Sequence, residues 1–183
     1  IVVCRIDVAQ NKMNITDGAV EAGKTFETKM ELGDRYGMAG KVDNDNNGVM
    51  KEWYEQTKAF ESYVVGKTVA EVEAIKTQEA GGHLIAVDEA LLSAGCSMQI
   101  TDFIAAVVKA CNDEQGMAFK TAGTITLGVA AKTTAAETTD TVVKMYTDFA
   151  ATAVVDGKIV AALNDAAQPQ ATIVEGEVTA TVK

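Results

Sequence analysis

The residues most able to do chemistry in this chain sit in short, separate clusters. Asp43-Asn44-Asp45-Asn46-Asn47-Gly48 places side-chain oxygens at the first, third and fifth positions of a loop, with glycine at the sixth, like the opening half of an EF-hand calcium loop. Asp43, Asp45 and Asn47 are the candidate calcium ligands. The twelfth position, where that loop needs a bidentate glutamate, is Tyr54, so the competing reading is a solvated Asn/Asp turn. Glu31, Asp34, Glu52, Glu55 and Glu61 offer carboxylates for acid/base work, but their spacing selects no pair. His83 is the one histidine, which rules out a multi-histidine metal site within one chain and puts it in a loop after Gly81-Gly82. Cys4, Cys96 and Cys111 lack CxxC spacing, so no zinc ribbon or thioredoxin-type motif is present. Cys4 and Cys111 lie among apolar neighbours and read as small buried thiols. No GxSxG, P-loop or GxGxxG occurs, and GTITLG (123–128) reads as strand.

What must position these clusters follows from periodicity. Trp53, Thr57, Phe60 and Val64 fall on one helical face that ends at Gly66. Thr68 to Glu71 is a capping box opening a short helix to about Ile75. A further helix starts with Thr101 as N-cap and puts Phe103, Val107 and Ala110 on one face. Residues 1–9 and about 12–20 read as strands, 26–38 as a short strand with a Gly-rich turn, and KTQEAGGH as loop. Thr/Val-rich strands fill the last third, and Asp156-Gly157 between two of them is a tight hairpin turn. Strands flanking a helical centre predict an α+β fold.

The two ends of the chain repeat each other. IVVCRIDVAQNKMNITDGAV (1–20) aligns with IVAALNDAAQPQATIVEGEV (159–178) at an offset of 158, with identities at Ile1/Ile159, Val2/Val160, Asp7/Asp165, Ala9/Ala167, Gln10/Gln168, Ile15/Ile173, Gly18/Gly176 and Val20/Val178. The second copy is preceded by a strand and the Asp-Gly turn; the first is not. Residues 1–120 therefore read as a repeat module lacking its opening strand, and 121–183 as the start of a second, strand-rich one. The missing partner strand is expected from elsewhere in this chain or from another chain, as a neighbouring repeat or subunit. Beginning at Ile1 with neither an initiating Met nor a signal peptide, the chain is expected to be a processed product or a piece of something longer.

Composition narrows the partners. The net charge is −10, so the chain repels phosphate backbones and nucleic acid is not an expected partner. Apolar runs such as Phe103 to Val108 stop well short of the roughly 20 residues a membrane span needs.

DEALLSAGCSMQITDFIAAVVKA (88–110), together with AVVDGKIVAALND (153–165), resembles the flavin mononucleotide (FMN)-binding domain family. In that family a strand pair with an Asp-Gly-Lys-Ile turn goes with an S-G-A-T-x-S-S motif before a helix, and the motif threonine carries the flavin as a phosphoester. Aligned on Phe103, the motif glycine falls on Gly95, its alanine on Cys96 and its attachment threonine on Ser97; its first serine falls on Ala94 and its paired serines on Gln99 and Ile100. The resemblance thus implies Gly95, Cys96 and Ser97 as flavin-site positions, with Met98 and Gln99 beside the cofactor. KTFETKMELGDRYGM, KEWYEQTKAFESYVVGKTVAEV and SMQITDFIAAVVKA also look like the repeat signature of tandemly repeated secreted or surface-anchored proteins of Gram-positive anaerobic bacteria, and TITLGVAAKTTA like the junction between such repeats. The resemblance implies an extracellular or cell-surface location and duplication; with the repeated termini, the degenerate flavin motif and no catalytic constellation, a structural or binding role without catalysis or resident cofactor is expected, forming homo-oligomers or filaments. A redox carrier holding FMN and a calcium-stabilised surface domain are the alternatives.

Overall fold

A computed structural model describes the chain apart from residues 18, 22, 23, 45–47, 136, 175, 176 and 183, with side chains of 174–182 also outside the description. The fold is α+β. Its order is β1 (Ile15–Thr16), β2 (Ala19–Val20), α1 (Lys29–Leu32) running into a 3-10 turn (Gly33–Tyr36), α2 (Trp53–Val64), α3 (Val69–Glu73), β3 (Thr77–Ala80), β4 (His83–Ala86), α4 (Glu89–Ser93) and α5 (Thr101–Cys111). Strands β5 (Ile125–Thr134), β6 (Val142–Lys144), β7 (Tyr146–Val155), β8 (Lys158–Ala167), β9 (Pro169–Val174) and β10 (Glu177–Val182) follow.

Helix α2 is the axis of the core. Trp53, Thr57, Phe60 and Val64 are all buried on the face their spacing marks out. Phe103 of α5 meets them, with ring centroids 5.8 Å from Trp53 and 5.5 Å from Phe60. Val72, Leu91, Cys96, Met98, Ile100 and Val107 close the cluster, which draws its buried members from residues 6 to 107. On α5 the cap position is Ile100 and Thr101 is already helical, while Ala110 is exposed, because the buried face ends with Val107.

Three segments depart from their sequence pattern. Residues Lys29–Leu32 are helical, because Thr28 as N-cap and Glu31 form a capping box: the Thr28 hydroxyl takes the Glu31 amide at 3.2 Å and the Glu31 carboxylate takes the Thr28 amide at 2.8 Å. KTQEAGGH is part of a hairpin, β3 with β4, turned by Gly81 and Gly82 at φ of 58° and 80°, which glycine adopts at little cost. His83 accordingly opens a strand. Residues 1–9 keep the two-residue period of a strand, with Cys4, Ile6 and Val8 against the core, yet form no ladder among the described residues, because no strand lies beside them.

The last third forms two antiparallel sheets, β5-β7-β8 and β10-β9-β6. Asp156 and Gly157 turn β7 into β8 with φ of 48° and 74°, the left-handed pair a two-residue hairpin needs. Two hairpins share one register at the offset of 158. Hairpin β9-β10 pairs Ile173 with Val178 and Val174 with Glu177; at the offset of 158, β1-β2 pairs Ile15 with Val20 and Thr16 with Ala19. The same offset relates two local hydrogen bonds, Ala166 N–H to Asp165 Oδ1 at 2.7 Å and Val8 N–H to Asp7 Oδ1 at 2.8 Å.

Candidate functional site

The Gly95–Ser97 turn is built from three directions. Gly95 sits at φ +89°, and a Cβ there would come within 2.5 Å of the Lys51 side chain, whose ammonium donates to the Ala94 carbonyl at 2.9 Å. Glycine is favoured there on both counts, the backbone one being independent of the flexible lysine. From α2, the buried Gln56 side-chain oxygen accepts the backbone N–H groups of Ser97 and Met98, each at 3.0 Å, while its amide donates to Lys51 C=O at 2.9 Å. From the Asn/Asp loop, Asn44 Nδ2 donates to Ser97 C=O at 2.9 Å and Asp43 Oδ1 accepts the Ser97 hydroxyl. Two clusters well separated in sequence, the flavin-motif turn and the calcium-type loop, are thus joined through Ser97 and Asp43.

Cys96 is fully buried beneath this turn, and burial pushes its thiol up to about 12. It is a neutral packing group at physiological pH. Cys4 is raised to about 11 by burial, then by the charge of Glu61 and by Cys111. Cys111, expected to be buried, is exposed, because it ends α5 on the face turned from the core. All three are free thiols.

A cleft of about 630 Å³ opens beside Met98 and Gln99, just past the turn; Gly95, Cys96 and Ser97 do not line it. Its apolar walls include Tyr36, Trp53, Phe103, Met38 and Met98; Asn44, Gln99, His83, Asp7 and Asp102 supply polar edges. Lys29 spans two of the rings, its ammonium 4.9 Å from the Tyr36 centroid and 5.3 Å from that of Trp53. Met98 and Gln99, the positions the flavin resemblance placed beside the cofactor, both line this cleft. His83 reaches it from β4, a role its loop-like sequence context conceals.

Of the candidate carboxylates, Asp34 meets the Tyr54 side chain and the other four serve the backbone. Glu31 and Glu55 each close a cap by accepting an amide, from Thr28 at 2.8 Å and Glu52 at 2.9 Å. Glu52, buried, accepts Met38 and Ala39 amides at 3.0 and 2.9 Å. Burial opposes its charge, but the amides of Ala39, Met38 and Trp53 outweigh it and hold the carboxyl below its usual range. Glu61 shows the other balance: burial raises it, despite an amide from Ile6 at 2.6 Å and Arg5 at 3.5 Å.

Asp43 is the member of the calcium triplet that can be located; Asp45 and Asn47 lie outside the described residues. Asp43 also closes its own loop, donating its N–H to Gly48 C=O at 3.0 Å beside the Val42–Val49 bridge. Among the described residues no cluster of three His, Cys, Asp or Glu side chains is arranged to hold a metal ion.

A stretch of the chain has a counterpart in a known protein. It is 47% identical over 51 residues to a chlorophenol reductase of Desulfitobacterium hafniense, which amounts to 28% of this chain. That match spans only 14% of the reductase. No family model matches, and no solved structure matches. Among the described residues no helix is long and apolar enough to cross a membrane.

Proposed function

We propose that this chain is a non-catalytic structural and binding module of an extracellular or cell-surface protein, built from repeats that assemble by completing one another's sheets. The observation that carries this is the recurrence of one hairpin register at an offset of 158, with the strand before it laddered in one copy and unladdered in the other. Similarity to tandemly repeated surface proteins supports the setting. Glu31, Glu52, Glu55 and Glu61 favour a structural reading, since each is engaged in fixing backbone. Light scattering after size exclusion, run over a range of concentrations, tests the assembly. Concentration-dependent association is expected; a monomer at every concentration would refute it.

A second reading, a redox carrier for FMN, is favoured by the cleft. Its three aromatic rings, with Met98 and Gln99 on the wall, suit a planar aromatic ligand. The partial likeness to a protein named as a reductase is compatible with it. Ser97 would carry the ligand's phosphate end, but Gly95, Cys96 and Ser97 do not line the cleft and the buried Ser97 hydroxyl donates to Asp43, so attachment requires the turn to open. Intact mass spectrometry of native material reads the covalent version directly: a mass equal to the bare sequence removes it.

A further inference from the structure

Resting on the assembly reading, we infer that the open edge of residues 3–7 is a docking site for one particular donor: an antiparallel strand of the β7 sequence, supplied by a neighbouring repeat, in the register that β7 already uses with β8. Both edges of residues 1–9 can be accounted for. On one side, Ile6 N–H donates to Glu61 at 2.6 Å and Val8 C=O accepts the Lys29 amide at 2.9 Å, so the helical body holds the even-numbered edge at residues 6 and 8; Ile1, on the far side of the exposed Val2, is held by that body as well, its ammonium donating to Lys67 C=O at 2.7 Å and its C=O accepting the Gly66 amide at 2.8 Å. On the other side, no hydrogen bond among the described residues takes up the backbone N–H or C=O of Val3, Arg5 or Asp7. In a strand, alternate residues aim their backbone groups at opposite edges, so these three define a single vacant edge.

The repeat says what fills it. At the offset of 158, Val3, Arg5 and Asp7 correspond to Ala161, Leu163 and Asp165 of β8, which lie opposite Ala153, Ala151 and Phe149 of β7. The parity agrees as well. Ala166 N–H turns to the Asp165 carboxylate, as Val8 N–H turns to Asp7, so in β8 too the even-numbered amide points away from the partner strand. The edge vacant at the N-terminal segment is therefore the edge that β7 covers in β8. Size fits too: the donor would set Ala150 opposite Ile6 and Thr152 opposite Cys4, small side chains beside residues already packed on the core. The register shift opposite Ala153 and Val154 leaves Val160 unpaired, and its counterpart Val2 is 83% exposed and clear of the core cluster.

The test adds a capped synthetic peptide of residues 146–155 to the full chain and follows backbone amide exchange by NMR. Binding is expected to slow exchange at Val3, Arg5 and Asp7 by on the order of tenfold or more and to leave Ile6 and Val8 unchanged. The same peptide with Ala151→Pro, which cannot donate to the ladder, is expected to lose that protection. A nitroxide at the Val155 end is expected to broaden Ile1 to Val3 rather than Ala9. No binding, protection of the even-numbered amides, or broadening at Ala9 overturns the inference. Were Val3, Arg5 and Asp7 protected without peptide and released on dilution, a second copy exchanging its β8 would be the occupant instead, again overturning it. If the chain self-associates while the peptide leaves those amides unprotected, assembly stands and this donor fails; protection without self-association supports the donor and refutes assembly by the chain alone.

Discussion

Gln56 and Ser97, 41 residues apart, are joined by a 3.0 Å hydrogen bond from the Ser97 backbone N–H to the Gln56 side-chain oxygen, deep in the protein. The same oxygen takes the Met98 N–H, so one helical side chain fixes two consecutive amides of the turn beside the cleft. Replacing it with Leu keeps the volume and strands both donors. A loss of about 2–3 kcal/mol is expected, read as a fall in Tm of about 5–10 °C by calorimetry. A change below about 1 °C would mean that the turn is held by other contacts.

Gly95→Ala combines a left-handed backbone with a collision against Lys51. The backbone term costs about 1 kcal/mol, and moving the flexible lysine breaks its bond to Ala94. Adding Lys51→Ala to Gly95→Ala removes the collision and leaves the backbone strain. Urea midpoints of the single and double variants should therefore show partial recovery; full recovery would place the whole cost in sterics.

The two buried glutamates predict opposite acid responses. Glu52 is held below its usual range, so its contribution is present above the unfolded value near 4.5 and is lost as pH falls through its lower folded value. Glu61 is raised, so the folded state binds its proton more tightly, and the stability this provides below about 4.5 is lost as pH rises through the folded value. Glu61→Gln keeps an acceptor for Ile6 N–H and removes the buried charge. Its Tm should equal or exceed that of the parent at pH about 7 and lose the advantage below pH about 4.5. An advantage that grows on acidification would reverse the sign of the argument.

The thiols should separate by exposure. With Cys96 near 12, Cys4 near 11 and Cys111 exposed, an aromatic disulfide reagent at pH about 8 is expected to titrate one thiol promptly in the folded chain and all three after unfolding. Prompt reaction at Cys96 would show that the turn opens readily.

Much of the fold is legible in the residues, in proportion to how local the signal is. The α2 face, the Thr68 box and the Asp156-Gly157 turn follow from spacing within one element, and the structure has each of them. The capping box at Thr28 and Glu31 is equally local, but Gly33 and Gly37 nearby point to a turn and hide it. The site behaves differently. Gly95 and Ser97 stand out by motif, yet nothing in the sequence ties Gln56 to their amides or Asp43 to the Ser97 hydroxyl, because those bonds span 41 to 54 residues. Residues 1–9 carry a strand's period, but a ladder needs a neighbour, and periodicity says nothing of one.

The shared register of the β1-β2 and β9-β10 hairpins bears on how a string of such units would come apart. If the chain belongs to a series of repeats, as proposed, the offset of 158 puts the boundary inside paired strands, and consecutive units would meet through backbone ladders instead of a flexible tether. Such a string behaves as a one-dimensional lattice, in which each unit's stability includes a term from its neighbour. Units at the two ends lack one of those terms, so melting begins there and travels inward, and adding units raises the cooperativity of the whole rather than multiplying independent transitions.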